Sequence, residues 1–353
     1  MKRRTDAGRR SVLFFPAMVC LIGAFFQEGS AQTFVPGKSP RGIAAVRGPI
    51  FNPNLSENRY IGFGDSITYG TINHEDAPEL GYIPRLDALL DAVLGPSEVV
   101  NEGLGGEETS GGNLRIGSVI AVRLARYILI MEGTNDVTFL RPVSTSIANL
   151  RSMISQSLNY GLLPVLATIV PRRDAKWYIS SYQEIHIALN AAIRLLAVEM
   201  NVPLADMDKV FNDYLPGGPG ALLSEDLKHP NETGYQVLAK TWAAAVEALP
   251  FPPESVRAKA TTDKILFYRR TGNMVTWLPN DKTEIAGTIL SYKIYRRKRG
   301  ESAAAFQSLA VIEDAESYFD VSAVKGTVYE YVVAAVRTDG VEGPCSAVAT
   351  LEL

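Results

Sequence analysis

Three histidines bound any serine-based nucleophilic chemistry that this 353-residue chain could perform. A serine is a poor nucleophile at neutral pH; it needs a base within hydrogen-bond reach and a third group to orient that base. The candidate serine is Ser66, in Gly64-Asp65-Ser66-Ile67-Thr68, directly after the apolar run Tyr60-Ile61-Gly62-Phe63. A buried strand ending in such a turn presents the hydroxyl at the carboxyl edge of a sheet, where ligands collect in open α/β folds. Gly, Asp, Ser and Thr are also ordinary turn formers, so the pentapeptide alone leaves a structural turn open. Among the histidines, His74 falls in the polar loop Asn73-His74-Glu75-Asp76, and His186 lies inside a long helical pattern, where imidazoles ordinarily pack. His229 stands in Asp226-Leu227-Lys228-His229-Pro230-Asn231, just before the last helical segment, and Pro230 keeps it out of helical geometry. Asp226, three residues earlier, is suited to hold the His229 ring and stabilise an imidazolium, although an Asp before a helix is equally suited to capping.

Acyl transfer by such a serine also needs donors aimed at the developing oxyanion. Two glycine-containing stretches offer them. Asn101-Glu102-Gly103-Leu104-Gly105-Gly106 follows Val99-Val100, and Gly133-Thr134-Asn135-Asp136 follows a strand ending at Met131. Glycine lets a backbone amide approach a ligand closely, and the Asn135 amide can donate to the same oxygen. Each stretch by itself also reads as a strand-exit turn. No metal and no cofactor are implied, since three dispersed histidines and few cysteines make a poor ligand set.

The elements that must position these residues alternate. Tyr60–Phe63 reads as a strand, Tyr82–Leu94 as a helix with apolar Ile83, Leu86, Leu89, Leu90 and Val93, and Tyr127–Met131 as a second apolar strand. A helix near Ile147–Leu158, an apolar run Leu162–Val170, a long helix over Ile179–Met200, a short strand Val202–Ala205 and a last helix over Thr233–Ala248 complete the pattern. Apolar strands alternating with helices predict a parallel sheet covered on both faces.

Taken together, residues 59–249 resemble the SGNH hydrolase superfamily, the GDSL esterases/lipases, whose four sequence blocks occur here in order. Ser66 matches the nucleophile, Gly106 and Asn135 match the block-two and block-three oxyanion donors, and Asp226 and His229 match the block that completes the triad. The resemblance implies a three-layer α/β/α, flavodoxin-like parallel sheet. It also implies two-step acyl transfer, with the N–H groups of Ser66 and Gly106 and the Asn135 amide as the oxyanion hole. It departs from the family at Glu107-Glu108, where an Asp is common, and in Asn212–Ser224, a longer and looser approach to the last block that reads as a rim loop or a plain surface loop. The G-x-S-x-G signature of ordinary α/β-hydrolases is absent, because position 68 is Thr.

At the amino end, Lys2, Arg3, Arg4, Arg9 and Arg10 precede the apolar stretch Ser11–Phe26 and the small residues Gly29-Ser30-Ala31, which predicts a signal peptide over residues 1–31. The apolar stretch is shorter than the ~20 residues of a membrane span. Export to a secreted or periplasmic location follows, with no membrane association after cleavage. Removing those five basic and two acidic residues takes the net charge from −3 to −6, which argues against a nucleic-acid partner. Only Cys345 then remains, so no intramolecular disulfide can form.

Residues 32–58 read as an irregular arm, and residues 250–263, opening with Pro250-Phe251-Pro252-Pro253, as a stiff linker. Residues 264–353 carry short alternating strands and resemble a fibronectin type III domain: an all-β sandwich with Trp277, Tyr292, Tyr295, Tyr329 and Tyr331 at its core positions and Gly340, Gly343 and Pro344 in a late turn. Arg296-Arg297-Lys298-Arg299 reads as a solvated hairpin tip.

The expected activity is a secreted serine esterase that deacylates, most simply deacetylates, a carbohydrate, with an acylated polysaccharide as partner. Three alternatives stay open: a lysophospholipase or thioesterase acting on longer chains, a sugar O-acyltransferase, and a non-catalytic glycan-binding protein. The side chains Tyr69, Leu104, Val137 and Trp177 are candidates for the pocket wall.

Overall fold

The structure, a computed structural model, describes residues 49–215, 217–265, 268–282, 289–313 and 315–352. The signal peptide expected over residues 1–31, and the expected arm as far as residue 48, lie outside them. The described residues all fall in one compact unit.

In chain order the first region contains β1 (Ser56–Gly64), α1 (Ser66–Tyr69), the small hairpin β2 (Thr71–Ile72) and β3 (Glu75–Asp76), α2 (Tyr82–Leu94), β4 (Glu98–Gly103), α3 (Thr109–Arg123) and β5 (Ala125–Met131). There follow α4 (Thr134–Thr138), α5 (Val143–Tyr160), β6 (Leu163–Ala167), α6 (Ser180–Met200), β7 (Leu204–Ala205), α7 (Met207–Asn212) and α8 (Glu232–Glu247). The sheet order is β4-β1-β5-β6-β7, and every pairing in it is parallel. Numbered within the sheet this is 2-1-3-4-5, the flavodoxin-like order, and its switch point falls at β1, where α/β sheets hold ligands.

Strand β5 explains why the sheet needs helices on both sides. Side chains alternate between faces along a strand, yet all seven residues of Ala125–Met131 are buried. Helices α3, α5 and α6 pack in one group and α2, α7 and α8 in another. Fully burying each Leu or Ile of such a strand stabilises the fold by roughly 1.5–3 kcal/mol.

Helix α3 has no counterpart in the sequence pattern, because Gly111, Gly112 and Gly117 lower its helical propensity. Tertiary packing accounts for the glycine at 112. A Cβ there would stand 3.2 Å from Phe63 Cε1 and 3.3 Å from Glu132 Oε1, so any other residue would require those side chains to give way by a few tenths of an ångström.

The second region contains β8 (Glu254–Ile265), β9 (Tyr268–Leu278), β10 (Ile289–Lys298), β11 (Gln307–Glu313), β12 (Ser317–Asp320), β13 (Val328–Arg337), β14 (Glu342–Cys345) and β15 (Ala349–Glu352). They form two antiparallel sheets, β12-β9-β8 and β11-β10-β13-β14, with β15 also paired to β13. Trp277, Tyr329 and Tyr331 are buried in the core. Two expectations need correction. The stretch 250–263 is not a linker throughout: from Glu254 onward it is strand β8, whose Val256 and Ala258 pack on the core while the intervening residues are charged or polar. The basic run is a solvated tip only in its second half, where Lys298 and Arg299 are exposed at the end of β10 and in the turn after it. The Arg296 guanidinium donates to Asp320 at 2.6 Å and lies over the Tyr329 ring, and Arg297 donates to Glu330 at 2.6 Å and lies over Phe306.

The two regions touch directly. Cys345 N–H donates to the Ile50 carbonyl at 2.8 Å, Arg337 to the Ala248 carbonyl at 2.9 Å, and the Asn201 amide to the Gly340 carbonyl at 2.6 Å. Phe51, in the expected arm, meets Phe306 edge to face with ring centroids 5.4 Å apart.

Candidate active site

Ser66 leaves the carboxyl end of β1 as the first residue of α1. Asp65 caps that helix: its Oδ1 accepts the Ile67 N–H at 2.9 Å, which fixes the turn and therefore the serine. The Ser66 hydroxyl lies 2.9 Å from His229 Nε2, and His229 Nδ1 lies 2.6 Å from Asp226 Oδ2. Three side chains separated by up to 163 positions thus form one hydrogen-bonded chain.

The loop that brings His229 to Ser66 is fastened at several points. Asp226 Oδ1 accepts the N–H groups of Lys228 and His229 at 2.9 and 2.8 Å and the Ser224 hydroxyl at 2.9 Å. Leu223 bridges Pro230, and Asn231 caps α8 while its amide donates to the Ala221 and Leu223 carbonyls. The segment Asn212–Ser224 therefore ends as part of the scaffold for the histidine.

Burial disfavours the Asp226 carboxylate, but hydrogen bonds from the His229 ring and from the His229 and Lys228 amides outweigh it, and its pKa falls to about 2. Burial likewise disfavours the His229 imidazolium; Asp226 opposes this only in part, and the His229 pKa stays below its ordinary value. The pair at neutral pH is an ionised carboxylate and a neutral imidazole, the state in which Nε2 can accept a proton.

Gly106 and Asn135 stand beyond the ends of β4 and β5, the two strands that flank β1. Gly106 has φ +79°, a backbone conformation that favours glycine, and nothing lies within 4 Å of where its Cβ would be. The buried Asn135 amide donates to the Glu107 carbonyl at 2.8 Å, which ties the two loops together. Asp136 locks the Asn135 turn from behind, accepting the Thr109 N–H at 2.8 Å and the Thr109 and Ser146 hydroxyls at 2.5 and 2.6 Å. Glu107, where the family commonly has Asp, pairs with Arg115 at 2.5 Å.

Beneath the site lies a group of buried acids. Burial raises the Asp65 pKa to about 6, against the partial relief of the Ile67 N–H. Glu132 is pushed well above the carboxylate range by burial and by the nearby Asp65 and Glu107. Of the candidate wall residues, Leu104 is exposed, Val137 is fully buried and takes no part in an open cleft, and Trp177 is held between the Arg173 guanidinium and the edge of His186.

One neighbour of the Ser66-His229-Asp226 chain escapes the sequence reading. The histidines are not all dispersed: His74 Nδ1 lies 3.7 Å from Asp226 Oδ2, and its ring meets His229 edge to face with centroids 5.7 Å apart. Asn73 and His74 form the two-residue loop of the β2–β3 hairpin, with φ of +50° and +67°. This I′-type pattern normally takes Asn-Gly, and a side chain in left-handed backbone costs roughly 1–2 kcal/mol. The available signal was two residues with Asn first, between Thr71-Ile72 and Glu75-Asp76.

Residues 63–237 match the model of the GDSL-like Lipase/Acylhydrolase family. The uncharacterized lipoprotein YqeF of Bacillus subtilis is 28% identical over 174 residues, which are 43% of this chain and 71% of that protein. Among solved structures, the lipase/acylhydrolase from Enterococcus faecalis is 24% identical with a TM-score of 0.48, covering 54% of this chain and 95% of that one. The acetylxylan esterase Axe2 from Geobacillus stearothermophilus is 21% identical with a TM-score of 0.47, covering 55% and 95%.

Proposed function

Residues 63–237 form a GDSL-like lipase/acylhydrolase domain, an ester-hydrolase domain, and from that premise we propose that this protein cleaves acyl esters of carbohydrates by a Ser66-His229-Asp226 triad. The observation that carries the reading is the continuous hydrogen-bonded chain from Ser66 Oγ through His229 to Asp226. In the first step His229 Nε2 takes the Ser66 proton as Oγ attacks the ester carbonyl carbon. The N–H groups of Ser66 and Gly106 and the Asn135 amide stabilise the tetrahedral oxyanion. The leaving alcohol departs with the proton from His229, and water, activated by the same imidazole, then releases the acid. Asp226 stays ionised throughout and balances the imidazolium.

Support for a carbohydrate alcohol comes from the surface beside the hairpin. A cavity of about 600 Å³ there is lined by polar Asn73, Glu75, Asp76, Glu79, Asn231 and Glu232 and by apolar Ile72, Ala77 and Leu80; Ser66 and His229 do not line it. The acidic side chains Glu75, Asp76, Glu79 and Glu232 disfavour an anionic headgroup, and the asparagines and carboxylates offer partners to hydroxyl groups, while Ile72, Ala77 and Leu80 give the wall an apolar share. Among the described residues no helix is long and apolar enough to cross a membrane. A basic, apolar leader over residues 1–31 and a relative named as a lipoprotein support export. The antiparallel region, read as a fibronectin type III-like module, then acts as a spacer or glycan contact.

Hydrolysis rates on 4-nitrophenyl esters from two to twelve carbons, alongside acetylated xylo- and gluco-oligosaccharides, test the reading. The expectation is fastest turnover of acetyl groups and measurable release of acetate from a sugar. A preference for long chains with no acetate released would refute the carbohydrate assignment.

A further inference from the structure

We propose that His74, Asp226 and His229 form a capture site for a divalent transition metal, with Zn²⁺ the best match, through which such an ion switches hydrolysis off. One ligand atom from each of the three residues lies within 4.8 Å of the others. The pairwise separations of 2.6 and 3.7 Å at Asp226 Oδ2 bracket the roughly 3.4 Å expected between ligands at Zn–N and Zn–O distances near 2.1 Å in a tetrahedron. Two imidazoles and one carboxylate suit Zn²⁺ and its neighbours, and leave a fourth position for water.

Three further observations converge on a cation. His74 is held in left-handed backbone at a position where glycine is the natural occupant, so the fold accepts strain to place an imidazole here. Its side chain is 72% exposed while those of Asp226 and His229 are nearly buried, which gives an ion a route from solvent to the inner ligands. The acid-walled cavity with Glu75, Asp76, Glu79 and Glu232 adjoins the same hairpin, and carboxylates at a cleft raise the local concentration of cations.

Binding needs no oxidant. The Nδ1–H bond of His229 breaks, the proton passes to solvent, and a coordinate bond forms between Nδ1 and the ion. Asp226 Oδ2 turns from that proton to the metal, and His74 closes the third position. The ring then carries a dication on Nδ1, which lowers the basicity of Nε2, and Nε2 no longer takes the proton of Ser66. The loss of activity rests on the triad reading; the binding does not.

The test therefore has two arms. Calorimetry with ZnCl₂ on Ser66→Ala protein, which keeps all three ligands, is expected to show one equivalent bound, and adding His74→Gly, a change the turn favours, or His74→Ala should weaken it tenfold or more. In the second arm, 4-nitrophenyl acetate hydrolysis by wild type, His74→Gly and His74→Ala is followed in EDTA and then with rising ZnCl₂, each normalised to its own EDTA rate. Inhibition of wild type at a concentration at least tenfold lower than either variant requires supports the site. Absence of a single bound equivalent, or equal sensitivity in all three proteins, overturns it. Failure of the triad reading looks different: no hydrolysis in EDTA, with the calorimetric result unaffected.

Discussion

Replacing Asp65 by Asn should stabilise the protein in a strongly pH-dependent way. Asp65 is 1% exposed, and burial raises its pKa from 3.8 to about 6. At about 1.36 kcal/mol per pKa unit, ionising this carboxyl in the folded state costs about 3 kcal/mol more than in the unfolded chain. The sign follows from proton binding. Between pH 4 and pH 6 the folded state holds the proton that the unfolded state has released, so stability falls as pH rises through that window and levels off above it. Asn has no proton to lose and keeps a side-chain oxygen for the Ile67 N–H that Asp65 now accepts at 2.9 Å. The variant should therefore match wild type near pH 3.5 and exceed it by about 3 kcal/mol at pH 8. Urea unfolding at pH 3.5, 5, 6.5 and 8, with the two proteins compared at each pH, reads this effect together with the relief that loss of the Asp65 charge gives Glu132, which acts in the same direction. A difference that does not change with pH, or an Asn variant less stable at pH 8, would show that burial of this charge is not what the fold endures.

Three further outcomes follow. Asn135→Ala should lower kcat by about 10²–10³ while circular dichroism stays unchanged, since the amide it loses is tied only to the Glu107 carbonyl. Asp226→Asn should cost about 10⁴ in kcat, because the amide offers His229 Nδ1 a donor where it now finds an acceptor at 2.6 Å; a loss below tenfold would argue against the role given to Asp226. Gly112→Val should destabilise by about 1–3 kcal/mol in thermal or urea unfolding, since the new side chain meets Phe63, Glu132 and Met153.

How far the sequence carried each feature depended on whether the signal was local. The strand ends bearing Ser66, Gly106 and Asn135 were legible because apolar runs followed by glycine-rich turns carry their own pattern, and Asp226 and His229 because both sit in one short block. Helix α2 matches its periodicity at both ends, and α6 differs from its expected span by one residue. What was missed depends on packing between distant segments. In helix α3, Gly112 lies against Phe63 and Glu132. Strand β8 hides behind a proline run and buries only small or medium side chains such as Val256 and Ala258. His74 reaches the triad through a hairpin of two-residue strands, too short to announce itself by alternation. Arg296 and Arg297 read as solvated until Asp320 and Glu330 arrive from other strands to pair with them, while Lys298 and Arg299 do stay exposed.

The central claim is that Ser66 is the nucleophile and His229 its base, and covalent trapping tests it most directly. A fluorophosphonate probe, which phosphonylates only an activated hydroxyl, is incubated with wild type, Ser66→Ala and His229→Ala, and the adduct is located by peptide mass spectrometry. The account predicts one adduct per chain on Ser66 in wild type, none in Ser66→Ala and labelling slowed by orders of magnitude in His229→Ala. Stoichiometric labelling at another residue, or turnover of 4-nitrophenyl acetate by Ser66→Ala at the wild-type rate, would contradict it.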